Sequence, residues 1–146
     1  NIDFGGVYNV KINNDKLFSN IKSKRMLYLA SENKKIKWKR NELISVIEKI
    51  KRKQNDYKKK GLHLILLIIP DKSTQYGKYI EKNEYNTINT FNLLVEEKVD
   101  FINLFKKFEN KIEKTKDLYL PNDNHLSFKG YMILSEIINY SLKESY

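Results

Sequence analysis

The stretch Leu62–Ile69, LHLILLII, decides the fold. It is apolar at every position but His63, and Pro70 ends it. A short apolar run with no polar face reads as a strand covered on both sides, the habit of parallel strands in α/β proteins. Within such a strand His63 is expected to be a satisfied core or edge histidine rather than a ligand.

Upstream, Asn41 to Lys60 places Leu43, Ile44, Ile47, Ile50 and Tyr57 on one helical stripe with a Lys-rich back. Asn41 is the expected N-cap and Gly61 the expected C-terminal stop. RMLYLA (25–30) is a short strand, SENKKIKWKRN (31–41) a polar loop, and residues 1–20, with Gly5-Gly6 and INND, read as loop and turn. Downstream, residues 71–85 form a polar, Tyr-rich loop. A helix over 86–98 aligns Ile88, Phe91, Leu94 and Val95, and VDFIN (99–103) is a second strand. LFKKFENKIEK (104–114) is a weak helix, and DLYLPNDNHLS (117–127) is a loop. From Phe128 a last helical stripe runs through Met132, Ile133, Ile137, Ile138 and Leu142. Strands alternating with helices predict an α/β fold, a three-layer α/β/α arrangement with a mostly parallel sheet. Its 146 residues suit one domain, residues 1–146, with no internal repeat or linker.

Composition narrows the function. With no Cys, disulfides and thiolate metal sites are excluded, and two His are too few to suggest a metal centre. No cofactor is expected. No apolar run reaches membrane-span length, and no signal-peptide pattern opens the chain. The net charge of +10 raises the question of nucleic acid. Nearly all of it is Lys, scattered along the chain, with Arg only at positions 25, 40 and 52. The one dense run, Lys49 to Lys60, lies on a predicted helix, where a solvated face is the plainer reading than a binding patch.

In open α/β sheets, sites form beyond the C-terminal ends of the strands. SENK (31–34), PDKSTQY (70–76) and PNDNHLS (121–127) are the polar loops able to converge there. Asp123 and His125 stand two residues apart in the last. An imidazole can take a proton from a nucleophilic hydroxyl and return it to a leaving group, while a carboxylate fixes its tautomer. The other reading is a helix-capping loop, with Ser127 or Asn124 as N-cap and an incidental histidine. Lys72 and Tyr76 are candidate contacts for a polar or anionic sugar substrate, with Tyr76, Tyr79 and Tyr85 able to stack on sugar rings. Against this stands a solvated loop with its tyrosines packed on the domain edge. Trp38 is expected to anchor its loop to the core, with stacking as the alternative.

LYLPNDNHLSFKGYMILSEIINYSL (118–142) resembles the C-terminal block of the SGNH (GDSL-type) hydrolases and of the related carbohydrate O-acetyltransferases. In those proteins a loop with Asp, a short gap and His is followed by a Gly, here Gly130, that starts the final helix. LLIIPDKSTQYGKYI (66–80) is similar to a segment of bacterial SGNH-like acyltransferases of the exopolysaccharide type. With the helix that leads into LHLILLII, these segments cover most of residues 40–145. The resemblance implies Asp123 as triad acid, His125 as base, and an acyl ester or polysaccharide as substrate. It also implies an extracytoplasmic or envelope setting. By the same resemblance, Asn33 in ASENK takes the place of an oxyanion-hole donor, although Ser31 and Lys34 stand where the family block has other residues. Gly5 or Gly6 is a weaker match for the glycine donor.

The family's nucleophile lies in a Gly-Asp-Ser block after the first strand or, in permuted relatives, after the Asp-x-His helix. No Gly-Asp-Ser occurs here. Ser31, Ser73 and Ser127 are nearest the expected rim. Ser127 follows His125 too closely for attack, which leaves Ser73 as the sole internal candidate. Because the sequence opens at Asn1, the chain is read as the C-terminal portion of a larger SGNH-like domain. Its serine is then expected on an upstream segment or a separate chain, and little turnover is expected from this chain alone. A catalytically inactive glycan-binding domain is the alternative, followed by a basic nucleic-acid-binding domain.

Overall fold

The computed structural model describes residues 2–3, 6–20, 22, 24–81 and 89–144. Gly5, Tyr85, Ile88 and the start of the helix expected from residue 86 lie outside them. In chain order the elements are β1 (Ile2–Asp3), β2 (Val7–Lys11), β3 (Arg25–Leu29), α1 (Arg40–Lys59), β4 (Leu66–Leu67), α2 (Lys72–Gln75), α3 (Thr90–Glu96), β5 (Phe101–Ile102), α4 (Leu104–Ile112) and α5 (Phe128–Glu144). They form a mixed α/β protein with one antiparallel and one parallel sheet among the described residues. Backbone contacts divide the chain into two compact units. One holds Asn1–Asn33, Ile69–Glu84 and Leu104–Tyr146, and the other Lys34–Ile68 and Tyr85–Asn103.

In the first unit β1, β2 and β3 form an antiparallel sheet, with Val10 opposite Met26 and Tyr8 opposite Tyr28. Alternate residues Met26 and Tyr28 turn into the core beside Val10, the period-2 pattern of a half-buried sheet. RMLYLA therefore supplies a strand, but its partner is antiparallel and comes from residues expected to be loop. VYNVK is short and broken by Asn9, whose side chain accepts a hydrogen bond from Arg25 Nε at 2.7 Å. Such a segment carries little periodicity.

Ala30–Lys37 form a 3₁₀ turn, of which Ala30 was expected in the strand and the rest in a polar loop, and Trp38 stands 47% exposed rather than anchored in the core. The segment 71–80 also departs from expectation. Asp71 caps α2 by accepting from Thr74 N at 2.7 Å, and Ile80 bridges to Ile12. Lys72, Ser73, Gln75, Tyr76 and Tyr79 are all buried, so this is a folded core segment, not a solvated loop.

Residues 118–127 fold back on themselves. Leu120 N donates to His125 O at 2.9 Å and Ser127 N to Leu118 O at 3.0 Å, around the bridge Tyr119–Leu126. Ser127 Oγ then accepts from Gly130 N at 3.1 Å, capping α5 as the capping reading foresaw. Gly130 itself is the third residue of α5 rather than its start. A Cβ built there would lie 2.2 Å from Leu118 O, so only glycine lets helix and loop approach this closely. The inward line of α5 runs through Gly130, Ile133, Leu134, Ile137, Ile138 and Ser141. Met132 and Leu142, expected on the stripe, lie off that line and are 50% and 39% exposed.

In the second unit α1 packs against α3 and the parallel pair β4–β5, whose register is Leu66–Phe101 and Leu67–Ile102. Ile47, Leu93, Leu94 and Val99 form its buried centre, with Leu43, Ile44, Ile50, Leu66, Ile68 and Phe101 around them. In α3, Leu93 takes the inward place expected of Val95, which is 56% exposed. The cap of α1 is Lys39 rather than Asn41. Lys39 N donates to Glu42 Oε2 at 3.3 Å, and Gly61 at φ +73° ends the helix. Only Leu66 and Leu67 of the run 62–69 pair as a strand, and Leu62 and Leu67 are exposed. Among the described residues parallel pairing is thus confined to β4–β5, and the covering of both strand faces is not seen along the run.

Candidate functional site

The three loops marked out by the sequence meet in the first unit. Glu32 of SENK accepts from Ser73 N of the 70–76 segment at 2.8 Å through Oε2. Lys72, next in that segment, reaches the 120–123 loop. The meeting place is built by the 3₁₀ turn, α2 and the fold-back ahead of α5.

On that fold-back, Asp123 Oδ1 lies 2.8 Å from His125 Nδ1, with side chains 51% and 70% exposed. The same oxygen accepts from the backbone N–H groups of Asn124 and of His125. The hydrogen bond from His125, and after it that from Asn124, holds the Asp123 carboxyl below the ordinary carboxylate range. A carboxylate on Nδ1 leaves Nε2 as the nitrogen for proton exchange. This is the tautomer arrangement of an acid–base histidine.

Beneath the pair, Lys72 is fully buried. Its ammonium donates to three carbonyls, Leu120 O at 2.6 Å, Pro121 O at 3.1 Å and Asp123 O at 2.9 Å. It also stands 5.0 Å from the centre of the Phe18 ring. Burial draws its pKa down to about 8, against the opposing pull of Glu32, Asp123 and Asp117. The substrate-contact role expected of Lys72 gives way to an internal one, because all three of its N–H donors are met by this chain's own backbone.

Tyr76 is likewise enclosed, its ring 4.9 Å from Phe18 and 5.9 Å from Tyr119 between centroids. Burial pushes its phenol upward. Tyr79 is buried with its hydroxyl on Glu113 Oε1 at 2.6 Å. Neither ring offers a free face to a sugar. Asn33 lies half-buried in the 3₁₀ turn, while its neighbour Glu32 makes the contact to the 70–76 segment. Ser73 Oγ donates to Asp71 Oδ1 at 3.2 Å, and both Ser73 and Ser127 are buried. Ser31 is exposed.

A second carboxylate–imidazole pair was not foreseen. In the second unit His63 Nε2 contacts Asp100 Oδ2, and His63 is 41% exposed at its side chain, outside the strand rather than within it. Gln54 grips the same place, donating to Asp100 O at 2.6 Å and Leu64 O at 3.0 Å and accepting from Asp100 N at 3.3 Å. Spacing could not reveal it, since His63 and Asp100 are 37 residues apart. Glu32 and Asp117 carry no local sequence signal of their contacts either. The carboxylate of Asp117 accepts from Ser19 N at 2.8 Å, another contact across distant sequence.

Among the described residues no group of three or more His, Asp or Glu is arranged to hold a metal ion, and no helix is long and apolar enough to cross a membrane. Comparison with models of known protein families, with curated proteins and with solved structures found no match.

Proposed function

We propose that the chain carries the acid–base half of an SGNH-type acyl-ester hydrolase or carbohydrate O-acyltransferase, with Asp123 as acid and His125 as base. The observation that supports this is the Asp123 Oδ1–His125 Nδ1 contact of 2.8 Å on an exposed loop. Around it, the two segments whose sequences resemble that superfamily meet through Lys72. In the reaction, Nε2 of His125 takes the hydroxyl proton of a serine as its oxygen attacks the acyl carbonyl. Nε2–H then protonates the departing alkoxide, and a water or sugar hydroxyl completes the second half by the same route. Asp123 stabilises the imidazolium at each stage. In this reading the parallel pair β4–β5 belongs to the three-layer arrangement of that superfamily.

The nucleophile this reading requires is a serine other than Ser73 and Ser127, both of which are buried. That same observation favours a second reading, a glycan-binding domain without turnover. Acyl-ester turnover by the protein translated from the full reading frame, lost in His125→Ala, is the outcome expected of the enzyme. Sugar binding with no turnover in either protein would select the second reading.

A further inference from the structure

We propose that Lys72 is the positioning residue of the Asp123–His125 pair, a buried ammonium that sets the 120–123 turn so that the Asp123 carboxylate faces the imidazole. The inference rests on the acid–base reading of the pair. Three carbonyls that point inward from one turn need three donors, and a Lys ammonium supplies three from one atom. The distances of 2.6, 3.1 and 2.9 Å leave no N–H of the ammonium for the carboxylate. Lys72 therefore holds Asp123 by its carbonyl and leaves the side chain to His125, 2.8 Å away.

The charge is supported where it sits. The negative charges of Glu32, Asp123 and Asp117 favour the ammonium, and the Phe18 ring centre lies 5.0 Å from it. Lys72 itself is anchored at the first residue of α2, whose cap is Asp71 and whose Ser73 N–H is held by Glu32. The rigid side of the contact is thus α2, and the positioned side is the loop. A planar Arg fork could not serve three convergent carbonyls in a closed slot, and an apolar side chain would take the ammonium from Pro121 O and Asp123 O and leave Leu120 O only the 3.4 Å bond from Asp123 N.

The test reads the histidine, not the reaction. In wild type, nitrogen-15 NMR of the His125 ring is expected to show the neutral form protonated at Nδ1, with Nε2 bare. Lys72→Met is expected to shift the population toward Nε2–H, as Asp123→Asn does directly, while the amide signals of β4 and β5 stay in place. Lys72→Gln, with two donors for three carbonyls, should fall between. Retention of the Nδ1–H form in Lys72→Met would overturn the proposal. So would loss of fold in both Lys72 variants, which would assign Lys72 to the fold alone. Failure of the acid–base reading is read separately. A wild-type ring without Nδ1–H would remove the pair itself, and an Nδ1–H ring in a full-length protein that turns over no ester would leave the positioning intact without the enzyme.

Discussion

The molecule holds two carboxylate–imidazole pairs, and their surroundings differ. Asp123 and His125 are two residues apart on one loop and meet through Nδ1. His63 and Asp100 come from distant segments and meet through Nε2. Nε2 is the nitrogen farther from the backbone, so engaging it leaves only the more hindered nitrogen for exchange with a substrate. Gln54 adds three hydrogen bonds between α1 and the backbone around the second pair, which makes that pair part of a tether from residues 62–64 to β5. The first pair instead stands on a buried platform of Lys72, Tyr119 and the close approach of α5. The same two functional groups are a surface clasp in one unit and, in the proposed reading, a supported acid–base element in the other.

If the platform is what distinguishes them, disturbing it should cost far more stability than cutting the clasp. Gly130→Ala is the largest expected effect. Helix propensity favours Ala by about 1 kcal/mol. The added Cβ, however, would lie 2.2 Å from Leu118 O. Overpacking of this kind costs about 3 kcal/mol and should win, which urea denaturation would register. A stabilised Gly130→Ala protein would break the contrast between the two pairs.

The platform should also respond to pH. The Lys72 pKa falls from 10.5 to about 8 on folding. Between those values the unfolded chain holds the proton and the folded chain does not, so stability rises with pH across this window. Urea midpoints of wild type should climb there relative to Lys72→Met, and parallel curves would contradict the burial of the charge. Tyr119→Phe is expected to have a smaller effect. Its hydroxyl donates to Pro70 O in the interior, and its removal should cost about 1–2 kcal/mol, seen as a lower melting temperature. No change would mean that Pro70 O finds another donor.

What the sequence made legible follows from how local each signal is. The Asp-x-His pair, the Ser127 cap and the helix after it lie within about one helical stretch, so spacing was enough to find them. The α1 stripe was equally plain from Leu43 to Ile50 because an amphipathic helix writes its period into the letters, while Tyr57, expected on it, is exposed. The run 62–69 misled for the opposite reason. A continuous apolar segment has no period to mark where pairing stops, and only Leu66 and Leu67 pair. Lys72 looked like a rim residue because its partners are backbone carbonyls 48 to 51 residues away, which leave no trace in residue type. Burial of Tyr76 and Tyr79 was hidden by the polar letters between them. The antiparallel partner of β3 was hidden by the brevity of VYNVK.

The most direct test sets the two histidines against each other. Acyl-ester turnover would be measured for the full-length protein beside its His125→Ala and His63→Ala variants. His125→Ala is expected to lose about 10³-fold or more of the turnover. His63→Ala should keep turnover within about twofold and give up less than about 1 kcal/mol of stability, as befits an exposed pair. Turnover that survives His125→Ala, or that falls equally in His63→Ala, would contradict the assignment of the chemistry to the Asp123–His125 pair.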